Sequence, residues 1–346
     1  MITHKWNVDN VDNLAGNQAI QEAAMWIREG EVIAFPTETV YGLGADACSN
    51  DAIEKIFSAK GRPSDNPLIV HISRLEQLKQ AASTWERTAE SLMNAFWPGP
   101  LTIVLPKSDA IAERTTARLA TVGVRMPDHP IALALIDAAG FPLAAPSANR
   151  SGKPSPTRGE HVYRDLNGRI KGIIDGGKTG VGLESTVVEV IGETVTILRP
   201  GGITKAQLEN VVDHVEWDRA LLEEKQVPKS PGMKYTHYAP DAPLYLVDGE
   251  RDFFQGVINQ HQSEGKKVGI LVSDELADQL TADEVRRVGS NQRIDWIAQQ
   301  IYHQLRSFDD TTTEVILAEI YPDEGIGEAL MNRLLKAAGN KVLTQE

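Results

Sequence analysis

Two cations, Lys60 and Arg62, stand close together in the stretch Ser58-Ala59-Lys60-Gly61-Arg62-Pro63-Ser64-Asp65-Asn66-Pro67-Leu68-Ile69. Gly61, Pro63 and Pro67 forbid a continuous helix or a central strand here, so the cations are expected on a loop of fixed path. Gly61 has no side chain and would let a ligand approach the main chain closely. A compact ammonium beside a planar guanidinium fork complements a polyphosphate. Alone, the pair reads first as a solvated basic turn.

Further polar loops of the same kind change the balance. Phe35-Pro36-Thr37-Glu38-Thr39-Val40-Tyr41-Gly42-Leu43 leaves an apolar run through a proline and carries two threonines and a tyrosine. Ala120-Thr121-Val122-Gly123-Val124-Arg125-Met126-Pro127 sets Arg125 in an apolar strand, where a buried charge needs a partner, a carboxylate before all others. Ala144-Ala145-Pro146-Ser147-Ala148-Asn149-Arg150-Ser151-Gly152-Lys153-Pro154-Ser155 is dense in hydroxyl, amide and backbone donors. Gly182-Leu183-Glu184-Ser185-Thr186-Val187-Val188 repeats the logic, and Leu198-Arg199-Pro200-Gly201-Gly202 adds a cation. Together these loops place Lys60, Arg62, Arg125, Arg199, Ser147, Asn149 and Ser185 at strand ends of one sheet, where α/β proteins collect ligands. They form no Ser-His-Asp set, metal cluster or activated thiol. The inventory fits an enzyme that positions an anionic nucleotide and a small carboxylate without a covalent intermediate.

Two strings invite a different reading. Gly172-Ile173-Ile174-Asp175-Gly176-Gly177-Lys178-Thr179 spells a phosphate-binding loop, but no helix signal follows Thr179 and a phosphate would lack a helix N-terminus. Gly42-Leu43-Gly44-Ala45-Asp46-Ala47 resembles a dinucleotide fingerprint, but Thr37–Tyr41 separates it from the preceding strand.

The elements that must position these loops follow from apolar spacing. Strands are expected at Glu31–Phe35, Leu68–Ile72, Leu101–Leu105, Leu119–Met126, Leu143–Ala145, Gly172–Asp175, Ser185–Ile191 and Val195–Leu198. Helices are expected at Asn17–Gly30, Ser49–Ala59, Ser73–Ala82, Trp85–Trp97, Ile131–Ala139 and Lys205–Val212. Helices and strands interleave without strict alternation, which predicts a twisted mixed α/β sheet. From Glu216 to Pro243 the periodicity lapses among prolines, as in a linker. Beyond it strands Leu244–Val247, Lys267–Val272 and Glu314–Ile320 alternate with helices Asp252–Ser263, Asp295–Phe308 and Ile326–Ala338, predicting a smaller Rossmann-like parallel α/β domain. The expected division is 1–215, a linker 216–243, and 244–346.

At 346 residues and 41% hydrophobic the chain is long enough for two cores. It has no apolar run of about 18 residues, so no membrane span is expected. The start lacks a signal-peptide layout, and a lone Cys48 excludes an internal disulfide and a thiolate zinc site. These features point to the cytoplasm. The net charge is −13, and residues 1–205 hold 21 Lys and Arg against 23 Asp and Glu. The acidic remainder is therefore a poor surface for phosphate contacts with nucleic acid.

In this order the motifs resemble the threonylcarbamoyl-AMP synthase family, whose catalytic part is the YrdC-like domain. The resemblance runs from Ala15 to Thr204, on Pro36–Leu43, Lys60-Gly61-Arg62 and Ser147-Ala148-Asn149. Ser230-Pro231-Gly232-Met233-Lys234-Tyr235-Thr236-His237-Tyr238-Ala239-Pro240 resembles the interdomain signature of the two-domain members. The resemblance implies that ATP, L-threonine and bicarbonate give threonylcarbamoyl-AMP and pyrophosphate, for N6-threonylcarbamoylation of adenosine in tRNA. It implies Lys60, Arg62, Asn66, Thr121, Ser147, Asn149, Ser155, Arg199 and Tyr238 at the nucleotide, with Lys60 and Arg62 catalytic and Mg²⁺ on the phosphates. Thr39, His71, Arg125, the Ala145 backbone and Ser185 would hold threonine. A downstream tRNA threonylcarbamoyl transferase is the implied partner, with direct tRNA binding weak and no membrane contact. Ser230–Pro240 is expected to fold over the nucleotide as a lid.

Two rivals share these features. Carbamoyl-adenylating domains of hydrogenase maturation carry zinc-finger cysteines, which a single cysteine rules out. A non-catalytic double-stranded-RNA-binding module would need more positive charge and leaves the threonine-side residues unexplained.

Overall fold

Apolar runs and capped helices lay out the first part of the chain in order. β1 (His4–Asn7) and α1 (Gln18–Arg28) lead to β2 (Ile33–Phe35), β3 (Gly42–Asp46) and α2 (Asn50–Lys60). Then come β4 (Val70–His71), α3 (Leu78–Ala81), α4 (Arg87–Phe96), β5 (Leu101–Pro106) and β6 (Thr121–Arg125). α5 (Pro130–Ala139), β7 (Leu143–Ala144), α6 (Gly159–Leu166), β8 (Gly172–Asp175) and β9 (Thr186–Ile191) follow. β10 (Thr194–Arg199), α7 (Lys205–Glu209), β11 (His214–Trp217) and α8 (Arg219–Leu222) close the series. The coordinates, a computed structural model, describe residues 1–222 and 237–345.

Local chemistry sets the helix ends. Asn17 Oδ1 accepts from the backbone N–H of Ala19 at 2.9 Å and starts α1. Ser49 Oγ accepts from Ala52 at 3.2 Å and starts α2. Gly61 ends α2 at φ +61, a left-handed cap that a side chain would strain. Nothing lies within 4 Å of the place its Cβ would take, so the conformation, not close packing, requires glycine.

These strands form one 11-stranded mixed sheet in the order β1-β8-β2-β3-β7-β4-β6-β5-β9-β10-β11. Alternation along β2 sends Ile33 and Phe35 to a layer shared with α1 and α5, and Ala34 to the layer that holds α2 and α4. Burying each large aliphatic in these layers contributes on the order of 2 kcal/mol. His71 pairs with Arg125 in the parallel register of β4 and β6, which sets two of the expected site residues side by side.

The Gly42–Asp46 string, whose separation from the preceding strand spoke against a dinucleotide loop, is a buried strand antiparallel to β2. Its Gly44 is small because a Cβ there would lie 2.6 Å from the Phe35 ring. The linker expected from Glu216 begins with regular structure, since Thr196 of β10 pairs with Glu216 of β11 and α8 follows. The partner strand, not local periodicity, orders that segment. α6 and β1 were absent from the sequence reading, because a polar helix and a four-residue strand carry little apolar signal. The Lys178-Thr179 pair follows β8 and precedes bends with no helix, as expected.

A second unit forms by itself around five parallel strands. β12 (Leu244–Asp248), α9 (Arg251–Ser263), β13 (Val268–Val272), α10 (Asp274–Ala277) and β14 (Glu284–Arg287) come first. α11 (Ile294–Ser307), β15 (Val315–Glu319), α12 (Ile326–Ala337) and β16 (Val342–Thr344) complete it, in the order β14-β13-β15-β12-β16. All four ladders are parallel, as the alternation predicts. The edge strands β14 and β16 were not foreseen, because β14 is polar and reads as a loop and β16, three residues long, is too short to show a period. Gly152–Pro154 and Val181–Leu183 group with this unit. The Arg306 guanidinium donates to Pro154 O at 3.0 Å, and Lys153 Nζ meets Asp309 at the same distance. Among the described residues no helix is long and apolar enough to cross a membrane.

Candidate active site

Lys60 is the last residue of α2 and only 3% exposed, so the sequence picture of a loop cation is corrected. Its Nζ donates to Ser147 O at 2.5 Å, to Asn149 O at 2.8 Å and to Asn149 Oδ1 at 3.4 Å. An ammonium donates through three protons, and these acceptors lie in one loop. The Lys60 carbonyl in turn accepts from the Ser151 N–H at 2.9 Å. The helix end therefore holds the Ser147–Ser151 loop at both ends of one residue. Asn149 Nδ2 donates to Arg150 O at 2.8 Å, which fixes its amide. Arg62 follows the cap, half-buried, with its N–H on Phe57 O at 3.1 Å.

The second group centres on Arg125, 4% exposed at the end of β6. Its Nε donates to Gly99 O at 3.3 Å and its Nη1 to Thr39 Oγ1 at 3.0 Å. Thr39 Oγ1 also lies 2.8 Å from Thr37 Oγ1, and Thr37 donates to Val40 O at 2.7 Å. The turn between β2 and β3 is thus braced by its own hydroxyls and aims one at the guanidinium. Glu38 supplies the carboxylate that a buried arginine needs, with Oε2 2.5 Å from Arg125 Nη2. Burial, with the Arg125 charge beside it, pulls the His71 imidazole down to about 3. The ring is neutral at neutral pH, and Nδ1, 3.2 Å from Ile69 O, carries the proton because a carbonyl only accepts.

The third group joins Ser185 to Arg199, 1% and 4% exposed. Arg199 Nη2 donates to Ser185 O at 2.8 Å and to Ser185 Oγ at 3.1 Å. Ser185 Oγ also lies 2.8 Å from Thr102 Oγ1. Ser155 Oγ donates to Glu184 Oε1 at 2.5 Å, next in sequence to Ser185. Of the remaining expected residues, Asn66 is 4% exposed, Thr121 opens β6, and the Ala145 N–H donates to Ile69 O at 2.9 Å. Tyr238 belongs to the second unit, 6% exposed, its ring stacked on Tyr302 at 5.4 Å with Arg333 over it at 5.5 Å. The Ser230–Thr236 part of the expected lid lies outside the described residues.

Direct bonds therefore unite Lys60 with Ser147 and Asn149, Thr39 with Arg125, and Ser185 with Arg199. Glu38, Thr37, Thr102 and Glu184 join them and were missed as site residues. Glu38 had a signal, since Arg125 called for a carboxylate and Glu38 is next to the candidate Thr39. Thr102 had less, as a lone hydroxyl in an apolar strand. Among the described residues the chemistry on offer is anion binding by buried, hydroxyl-oriented guanidiniums.

Known proteins resemble the chain along most of its length. A family profile described as "Telomere recombination" matches residues 25–201, and one described as "Threonylcarbamoyl-AMP synthase, C-terminal domain" matches residues 203–339. Threonylcarbamoyl-AMP synthase of Bacillus subtilis is 52% identical over 99% of this chain and 100% of its own length. Its namesake in Pyrococcus abyssi is 47% identical over 94% of this chain and 95% of its own. The crystal structure of P. abyssi Sua5 complexed with L-threonine superposes with a TM-score of 0.91 at 45% identity, covering 100% of both chains. The chain belongs to the threonylcarbamoyl-AMP synthase family.

Proposed function

We propose that the chain is an L-threonylcarbamoyladenylate synthase, a nucleotidyltransferase that converts ATP, L-threonine and bicarbonate to threonylcarbamoyl-AMP and pyrophosphate. The product would serve the threonylcarbamoylation of tRNA by a downstream transferase. The observation that carries this reading is the buried Thr39–Arg125 pair. It lies in a chain matched end to end by a relative solved with L-threonine.

The chemistry follows from charge and orientation. Threonine's amine and bicarbonate give a carbamate, and the carbamate oxygen attacks the α-phosphorus while pyrophosphate leaves. Both reactants are anions, so their repulsion is the first obstacle. Lys60, Arg62 and Arg199 supply positive charge for the nucleotide, and Asn66, Thr121, Ser147, Asn149 and Ser155 supply neutral donors and acceptors. On the threonine side Arg125 receives the carboxylate, Thr39 and Ser185 stand for the side-chain hydroxyl, and Ala145 offers its carbonyl. His71, held neutral, adds a polar wall without a competing charge. Fixing the two reactants together can supply about 7 kcal/mol or more.

Mg²⁺ fits the donor set on one count. Glu184, 8% exposed and bonded to Ser155, offers a hard carboxylate oxygen of the kind this ion prefers. Bound there on the phosphates, it would neutralise negative charge. The test is to incubate the full chain with ATP, threonine and isotope-labelled bicarbonate and to identify the product by mass. A labelled threonylcarbamoyl-AMP supports the reading. Label-free AMP and pyrophosphate would overturn it.

A further inference from the structure

Glu38 is the charged residue of this site that the reaction above leaves without a task. Its side chain is 11% exposed. Oε2 is 2.5 Å from Arg125 Nη2 but off the hydrogen-bond axis, so this is an ion pair by distance and not by angle. Neither carboxylate oxygen accepts a hydrogen bond among the described residues. A covered carboxylate whose partner is an off-axis guanidinium keeps lone pairs unfilled, and a ligand can bring the donor for them.

We infer that Glu38 binds the ammonium of the amino-acid substrate and removes its proton, acting as the general base for carbamate formation. This inference rests on the reading that Arg125 takes the substrate carboxylate. An α-amino acid carries its two charges on groups that share one carbon. A guanidinium and a carboxylate in contact present the opposite charges at the matching close spacing. With the substrate absent, the pair neutralises itself.

The proton must move because an ammonium nitrogen has no lone pair. Glu38 takes one proton, leaving a neutral amine and a neutral carboxyl. The nitrogen lone pair then forms a bond to the bicarbonate carbon, and a C–O bond of bicarbonate breaks. That oxygen leaves as water with a second proton from the nitrogen. Amine and bicarbonate thus give carbamate and water, and Glu38 later returns its proton to solvent.

Charged and titratable groups face Glu38 from more than one element. Arg125 reaches it from β6, and His129 acts on it from the start of α5 with Asp128 alongside. Burial lowers the His129 pKa against the pull of Glu38 and Asp128. His71 faces Arg125 from β4. All four are kept unchanged in the test, so a changed profile belongs to Glu38.

The experiment measures threonine- and bicarbonate-dependent pyrophosphate release from ATP by the full-length chain, from about pH 6.5 to about pH 9.5, with Glu38→Gln and Glu38→Asp beside the parent. The parent should hold a broad plateau. Glu38→Gln should fall about a hundredfold near neutrality, raise the threonine KM, and recover about tenfold per pH unit as hydroxide takes over the deprotonation. Glu38→Asp should keep the plateau at a lower rate. A Glu38→Gln profile parallel to that of the parent overturns the inference. If Glu38→Gln does not fold, Glu38→Asp decides: a plateau supports the base, and a rate climbing with pH overturns it. A parent that releases no threonine-dependent pyrophosphate would instead remove the functional reading itself.

Discussion

Replacing Lys60 by methionine separates two tasks that the sequence merges. Methionine keeps the length of the side chain and removes the ammonium. The structure gives that ammonium three acceptors in one loop, Ser147 O, Asn149 O and Asn149 Oδ1. Without it two backbone carbonyls lose a charged donor in a place where Lys60 is 3% exposed. Each buried acceptor left unpaired costs about 1–3 kcal/mol, so the variant should lose about 3 kcal/mol after partial relaxation. For a unit of this size that corresponds to a drop in melting temperature of about 6–12 °C. Turnover should fall by about a hundredfold, through lost charge and a displaced Ser147–Asn149 loop. Calorimetry and pyrophosphate release on the same preparation read both effects. An unchanged melting temperature with lost turnover would refute the clamp and leave Lys60 acting on the nucleotide alone. A lower melting temperature with full turnover would refute its catalytic role.

Three further outcomes follow from the same geometry. His71 has its pKa lowered to about 3 in the folded chain, while the unfolded chain takes up its proton near 6.5. Proton uptake therefore favours unfolding as pH falls below 6.5. The resulting loss at pH 5 is about 2 kcal/mol, and His71→Gln should abolish that part of the difference between melting curves at pH 7 and pH 5. A pH difference as large in the variant would show that other groups carry it. Valine in place of threonine should support far less ATP consumption, because Thr39 and Ser185 would be left facing a methyl group, and comparable turnover would contradict the threonine pocket. Tyr238→Phe keeps the ring on Tyr302 and removes the hydroxyl, so ATP affinity should drop about fivefold. Unchanged ATP affinity would leave Tyr238 a packing element of the second unit.

Much of this arrangement was legible because chemistry-bearing residues follow apolar strands. Arg125, Ser185 and Arg199 were found by that pattern and Thr39 through the family resemblance, and each lies against another of the set. Arg125 even announced the need for a carboxylate, although Glu38 was not matched to it. What stayed hidden depended on partners distant in sequence. Gly42–Asp46 looks like a glycine loop, and its strand character comes from pairing with β2 and from the Phe35 ring over Gly44. The burial of Lys60 likewise comes from a loop almost ninety residues away in the chain. Local composition carries neither fact, and β14 shows the converse, a polar run made a strand by its neighbour β13.

The central claim is that three small substrates meet in one site and that threonine is obligatory. Its most direct test is an omission series on the purified full-length chain, with pyrophosphate release followed in the presence of ATP, L-threonine and bicarbonate and then with each left out in turn. The account predicts release with the complete mixture and near-background release whenever threonine or bicarbonate is absent. Release that continues unchanged without threonine would contradict it.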